Sequence, residues 1–377
     1  VLLVPFAVAT VVGLVVLWPG HREYPVPVQF AGPGGAQPQF VTGSVDAVEN
    51  GPCRGDRRAV CQTASVRLAG GPDAGTYTTL EFGAGPGGVR LQTGERVRLA
   101  VTADPASGAP VYAFVDILRG VPLGLVAGLF VLVVVLVARW RGLAALLGLG
   151  VAYGVLIWFV LPALLAGRPP LAVGLVGGSA ILFAVLYLAH GPSARTSTAL
   201  LGTLLSLALA GALAAVFTAG THLTGLSSDV VVALQTAAPQ VSFPGLVLCG
   251  VVVGALGVLN DVTVTQASAV WELHAADPVA GARRLFSSAM RIGRDHIASS
   301  VYTLVLAYAG SALPLLLLVD LSRQPAGMVL TGDEVAAELL RGLIGATALV
   351  ASVPITTALA AHLVTRPGTG RARARRR

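Results

Sequence analysis

From Val121 to Val364 the chain is a succession of seven apolar runs: Val121–Ala138, Leu143–Ala166, Leu171–Ala189, Thr198–Phe217, Gly245 to about Trp271, Ile297–Val319 and Leu343–Val364. Each reaches or nears the roughly 20 residues that a helix needs to cross the hydrocarbon layer of a bilayer. Only 11% of the 377 residues are charged and 55% are hydrophobic, whereas soluble domains carry roughly 25% charge. Such a chain has too few polar groups to cover a globular surface, so its excess apolar surface has to face lipid. The expected fold is an α-helical polytopic membrane protein whose transmembrane domain covers residues 121–365.

Val1–Trp18 is one more apolar run. It has no basic n-region and no small-x-small cleavage site before Pro19, so it reads as a retained helix and an eighth span rather than a cleaved signal. His21–Gly120 is different material, with nine arginines and period-2 alternation. Five strands are predicted, at Phe40–Val45, Ala64–Leu68, Tyr77–Phe82, Arg96–Thr102 and Val111–Ile117. Turn residues separate them at Gly70-Gly71-Pro72, Gly83–Gly88 and Ala106-Ser107-Gly108. Five short strands predict a small all-β domain of OB-like type. Such domains often bind oligonucleotides, but this one offers few exposed aromatics for base stacking, which favours a structural or partner-binding role.

Cys53 and Cys61 flank a basic loop, Arg54-Gly55-Asp56-Arg57-Arg58. They are a disulfide if the domain is extracytoplasmic, or else two unpaired thiols. No histidine or third cysteine stands close enough to complete a metal set, and no metal or other cofactor is expected. Cys249, inside an apolar run, reads as a packing residue.

Arginine placement predicts orientation. All 25 basic residues are arginine; with the many Gly, Ala and Val this points to a GC-rich coding bias and an actinobacterial source. With eight spans and both termini inside, the inner segments hold Arg139, Arg141, Arg195, Arg283, Arg284, Arg291, Arg294, Arg366 and the tail arginines. The outer connections between helices hold only Arg168, Arg323 and Arg341, beside Asp229, Asp320, Asp333, Glu334 and Glu338. By the positive-inside rule the β-domain is then outside and the 366–377 tail cytoplasmic. Arg371, Arg373, Arg375, Arg376 and Arg377 are expected to contact anionic lipid head groups. No nucleic-acid recognition motif accompanies them, so the net charge of +7 does not imply a nucleic-acid partner.

Polarity inside the spans is concentrated in two places. The run from Gly245 carries Gly250, Gly254 and Gly257, a small-residue pattern that predicts close helix packing. It continues through Asn260 and Asp261 to Glu272, and if it stays helical, Asp261, Thr265, Ser268 and Glu272 share one face. A carboxylate inside the bilayer costs about 2.5–3.5 kcal/mol on insertion scales, so Asp261 should face protein or water. It is a group on a proton or cation path, an interfacial cap if the helix ends near Asn260, or a neutral packing group. The second cluster, Arg291 to Thr303, opens the next span. Asp295, Ser299 and Tyr302 share a face there, and His296 beside Asp295 is either a titrating group or part of the charged mouth of a helix. Asp277–Ile292, between the clusters, reads as an amphipathic helix on the inner leaflet.

The segment Asn260-Asp261-Val262-Thr263-Val264-Thr265-Gln266-Ala267-Ser268 resembles the signature of the YibE/F family of bacterial multi-pass membrane proteins. Gly293-Arg294-Asp295-His296-Ile297 through Thr303–Gly310 is similar to that family's second signature, with a departure at Tyr302, where a small polar residue is expected. The layout of an outside domain ending at Tyr112–Arg119 fits as well. The resemblance implies a bacterial plasma-membrane protein of permease-like character, without a settled activity.

No Gly-x-Ser-x-Gly, His-Glu-x-x-His or phosphate-binding Gly-x-x-x-x-Gly-Lys motif is present, so no catalytic residues and no enzyme activity are expected. Two functions remain. One is transport of a small solute or ion along a path near Asn260, Asp261, Thr265, Ser268, Asp295, His296 and Ser299. The other is a non-transporting scaffold whose outside β-domain binds an envelope protein.

Overall fold

The computed structural model describes residues 2–20, 39–55, 58–83, 88–104, 107–225, 231, 234–235, 238–322 and 325–366. The arginines of the 371–377 tail, Asp229 and Arg323 lie outside the described residues, as do Asp56 and Arg57 of the basic loop. The chain forms two compact units, Tyr24–Leu132 and Val1–Glu23 with Val133–Arg377.

The first unit holds five strands: β1 (Gln39–Pro52), β2 (Val60–Leu68), β3 (Tyr77–Gly83), β4 (Arg96–Ala103) and β5 (Pro110–Ile117). They pair antiparallel in the order β3-β2-β1-β4-β5, a half-barrel of the OB-like kind expected. β1 is long enough to serve two partners: residues 39–44 pair with β4 and 43–52 with β2. Where the two ladders overlap stands Gly43, at which a Cβ would lie 2.5 Å from Val66 and 3.0 Å from the Arg67 carbonyl. Alternate residues Val41, Val45, Ala64, Val66, Leu68, Val97 and Leu99 fill the core. The edge strands β3 and β5 approach through side chains, with Phe82 and Phe114 edge-to-face at 5.1 Å. Buried Gln62 accepts from the Leu91 N–H (2.7 Å) and donates to its carbonyl (3.2 Å), anchoring the segment before β4.

The other described elements are helices, and the division between the two units, after Leu132, falls inside the second of them. α1 covers Val4–Leu17. α2 (Gly120–Val155) runs through a π-turn at Leu156–Val160 into α3 (Leu161–Leu165). The π-turn is the physical response to Pro162, which has no N–H to continue the α-helical ladder. Then follow α4 (Pro170–His190), α5 (Ala194–Thr221), α6 (Phe243–Ala276), α7 (Ala282–Ser311), α8 (Leu313–Ser322), α9 (Ala326–Thr331) and α10 (Asp333–Val364). Ser193 and Ser242 cap α5 and α6, each accepting a backbone N–H three residues on. Leu182 and Leu186 of α4, Leu200 and Leu207 of α5, Leu259 and Val262 of α6, and Leu349 and Val353 of α10 share one core.

Among the described residues, five helical runs are long and apolar enough to cross a membrane, or six with the bent α7–α8 pair counted as one span. The first run is 46 residues long and contains two predicted spans. Its division is at Arg139, where φ is 52°; beyond it Gly142 comes so close to the Val134 carbonyl that a Cβ would lie 2.5 Å from it. Three expectations change. α1 has 14 residues, a length of about 21 Å, so it is shorter than the eighth span expected of Val1–Trp18. The amphipathic segment and the sixth span are one continuous helix, α7, because nothing between Met290 and Ile297 interrupts it. That span bends by 62° at Ala312, just before Pro314. Finally, Glu338 and Arg341, read as residues of an outer connection, belong to α10.

Candidate functional site

α6 and α7 are joined by the turn at Asp277–Gly281, where Asp277 receives an ion pair from Arg284 at 3.4 Å. The two helices therefore run antiparallel, and residues equally far from the turn face each other. Gln266 sets the approach: its side-chain N–H donates to the Ala289 carbonyl of α7 (2.8 Å) and to Thr357 Oγ1 of α10 (2.9 Å). Gly293 completes it, since a Cβ there would stand 2.8 Å from Gln266 Nε2 and 2.6 Å from Val353. One turn farther along α7, His296 meets Asp261 of α6, Nε2 to Oδ2 at 3.7 Å. The Asp261 side chain is 72% exposed and that of His296 32%. His296 Nε2 is itself enclosed and has no hydrogen-bond partner among the described residues.

α6 stays helical from Phe243 to Ala276, which removes the reading of Asp261 as a cap of a helix ending near Asn260. Asp261, Thr265 and Glu272 are exposed and Ser268 half-buried, so the predicted stripe is an outward face of α6. Thr265 donates to the Asp261 carbonyl (2.9 Å), and Glu272 pairs with Arg195 at 3.7 Å. Asn260 is half-buried, with Oδ1 enclosed and unpartnered among the described residues. On α7, Asp295, Ser299 and Tyr302 are exposed. Ser299 donates to the His296 carbonyl (3.0 Å), and Asp295 takes no part in the Asp261 pair.

Of Gly250, Gly254 and Gly257, expected to pack helices together, the first two stand against side chains of other helices and Gly257 does not. A Cβ at Gly257 would meet nothing within 4 Å among the described residues. At Gly250 it would meet Arg341 Nε at 3.5 Å, and at Gly254 the Tyr308 hydroxyl at 2.9 Å. Apolar and tighter contacts between helices are made by Gly178, against Leu207 and Leu256, and by Gly202, against Thr356. Arg341 donates to Glu338 one turn earlier on α10, and its Nε is enclosed without a partner among the described residues. Beside this pair an open cavity of about 410 Å³ lies at the α7–α8 bend, with Ser311, Leu315, Glu334 and Glu338 in its wall.

The opposite face of α6 carries polar residues that sequence reasoning missed. Thr263 and Gln266 are fully buried, and Thr263 Oγ1 lies 2.6 Å from Thr203 Oγ1 of α5. Thr203 and Ser206 also donate to carbonyls one turn back on α5. In the β unit Cys53 and Cys61 form a disulfide. Glu81 lies beside them, but the two sulfurs are bonded to each other and offer no thiolate to a metal.

No curated protein and no solved structure matches the chain. A family model described as YibE/F-like protein matches residues 126–366, more than half of the chain, and the chain belongs to that family.

Proposed function

We propose that the chain is a permease-like transport protein of a bacterial plasma membrane, with no catalytic role, moving a small hydrophilic solute or ion. The observation that carries the reading is the Asp261–His296 pair, an exposed carboxylate and an enclosed imidazole nitrogen on adjacent span-length helices. A carboxylate at that depth is costly against lipid. With the imidazole 3.7 Å away it offers an anionic oxygen and a ring nitrogen as contacts for a cation or a polar solute. The arginine asymmetry supports a topology with the β unit outside, the tail arginines on the anionic inner leaflet, and the pair toward the inner end of α6.

The test uses the full chain in liposomes, screened with inorganic ions under an imposed pH gradient. Flux should be lost in Asp261→Asn and His296→Ala while the amount of inserted protein is unchanged. Flux that survives Asp261→Asn overturns the reading. If the wild type moves nothing and only deletion of residues 21–120 abolishes the cellular phenotype, the chain is a scaffold acting through its β unit.

A further inference from the structure

We infer that the cavity at the α7–α8 bend binds an organic ammonium cation, its charged nitrogen against Glu334 and Glu338 and its apolar body against Leu315 and Leu318. This site goes beyond the transport reading. Binding there needs no flux, and His296 and Ser311 stand about 22 Å apart along α7 at the α-helical rise.

The cavity exists because α7 stops at Ser311 and the chain turns by 62° into α8, away from the first turns of α10. Its volume of about 410 Å³ falls within the roughly 300–1,000 Å³ usual for small-molecule sites. The two walls differ in chemistry. Pro314, Leu315 and Leu318 of α8 make one of them apolar. Glu334 and Glu338, one turn apart on α10, put two carboxylates on the other. The charge of Glu338 is offset by Arg341. Glu334 is exposed and has no ion pair among the described residues, so the cavity keeps one uncompensated negative charge. The backbone adds to it. The C-terminal end of α7, the negative end of its dipole, lies at the wall beside Ser311. Pro314 has no N–H, so the Gly310 carbonyl lacks its α-helical donor.

These walls select the occupant. An anion is repelled by Glu334 and by the end of α7. Calcium takes about 6–8 oxygen ligands, whereas one of the two carboxylates here is engaged with Arg341. Among the described residues no three His, Cys, Asp or Glu side chains converge at this cavity closely enough to hold a metal. A small hydrated cation meets Glu334 and leaves Leu315 and Leu318 against water. A neutral apolar molecule covers the carboxylate without pairing it, which is unfavourable. An ammonium group on an apolar body answers both walls at once. Two sources supply that chemistry, a soluble alkylammonium and the amine of a lipid headgroup, and the experiment separates them.

The experiment is equilibrium dialysis of radiolabelled benzyltrimethylammonium against the full chain in non-ionic detergent. Binding should be saturable and undisturbed by an equal concentration of benzyl alcohol or of sodium. Glu334→Gln, at an exposed position, should weaken it at least tenfold, and so should Leu315→Trp, which fills the cavity; Glu334→Asp should retain it. Asp261→Asn should leave it unchanged, whatever that variant does to flux. Absence of saturable binding, or full affinity in Glu334→Gln, overturns the inference. Displacement by benzyl alcohol shows that charge is not recognised, and displacement by sodium reduces the site to a general acidic surface; either result also overturns it. Loss of binding in Asp261→Asn moves the cation to the Asp261–His296 pair, which removes this site and leaves the transport reading standing. The source is read in nanodiscs of phosphatidylglycerol with and without phosphatidylethanolamine, with empty discs subtracted. Binding at least tenfold weaker only where phosphatidylethanolamine is present makes the lipid amine the occupant, and equal binding in both makes it a soluble cation.

Discussion

Gly202 of α5 faces Thr356 of α10 so closely that a Cβ on the glycine would lie 2.2 Å from the threonine Oγ1. Thr356 is fully buried and its hydroxyl has no hydrogen-bond partner among the described residues. The contact thus depends on shape, with at most a weak Cα–H···O interaction behind it. Gly202→Ala should lower stability by about 1–3 kcal/mol, the usual cost of an added methyl in a packed core. Thr356→Ala alone should change it little, and the double variant should recover most of the loss. Thermal unfolding midpoints in detergent for the four proteins give the coupling. A neutral Gly202→Ala, or strictly additive effects, would show that α5 and α10 do not meet as described.

Gln266 is the one side chain seen to join α6, α7 and α10 through hydrogen bonds among the described residues. Bonds of this kind inside membranes average about 0.6 kcal/mol and reach about 1.7. Gln266→Leu, which loses both, should therefore cost about 1–2 kcal/mol, and Thr357→Val, which loses one, about half as much. Gly293→Ala should be worse than either, because its methyl would collide with both Gln266 and Val353. The ranking is measurable as the detergent unfolding midpoint of each variant. A Gln266→Leu protein as stable as wild type would mean that apolar packing alone holds these helices.

The spans and strands were legible because both are written in hydrophobic period. Apolar runs located α4, α5, α6 and α10 to within a turn or so at most ends, and alternation located all five strands. The stripe of Asp261, Thr265 and Ser268 was also legible as one face, but not which way the face points. Glycine, serine and threonine suit a packed seam and an open face equally, so residue type does not separate Gly257, which is open, from Gly202, which Thr356 covers. Thr203 and Ser206 left no signal at all. Each bonds a carbonyl of its own helix, which lets a hydroxyl sit in an apolar run at little cost. The meeting of His296 with Asp261 depends on the α6–α7 register, set by Gln266 and Gly293 against Thr357 and Val353 of α10, distant in the sequence.

Tyr112 of β5 donates to Asp73 in the β2–β3 turn at 2.9 Å. Burial, and then the bond to and charge of Asp73, raise its pKa above the usual tyrosine value. A phenol with a raised folded pKa keeps its proton longer in the folded state than in the unfolded one. Its contribution is therefore complete below about pH 10 and is lost as pH rises through the folded value. Limited proteolysis of the β unit in denaturant between pH 8 and pH 11 should show stability falling above about pH 10, with a shallower fall in Tyr112→Phe. The same variant should be less stable at neutral pH by about 0.5–1.5 kcal/mol, the net worth of one hydrogen bond. An unchanged alkaline slope would remove Tyr112 as its source.

The Cys53–Cys61 disulfide spans a sequence separation of 8 and closes the loop between β1 and β2, where Cys53 N–H also donates to the Ala59 carbonyl at 3.0 Å. Arg54 N–H donates to Glu81 at 2.8 Å, tying that loop to β3. Loop-closure entropy gives such a bridge about 2–3 kcal/mol, so the Cys53→Ser/Cys61→Ser protein should lose about that much in the β unit. The bridge also reports on topology, because a cytosol keeps such thiols reduced. The chain has 3 cysteines, of which only Cys249 is free. Chain taken from cells, denatured without reductant and treated with a maleimide-linked polymer should therefore gain one polymer mass, and after reduction three. Three without reductant would place the β unit in a reducing compartment and reverse the proposed orientation.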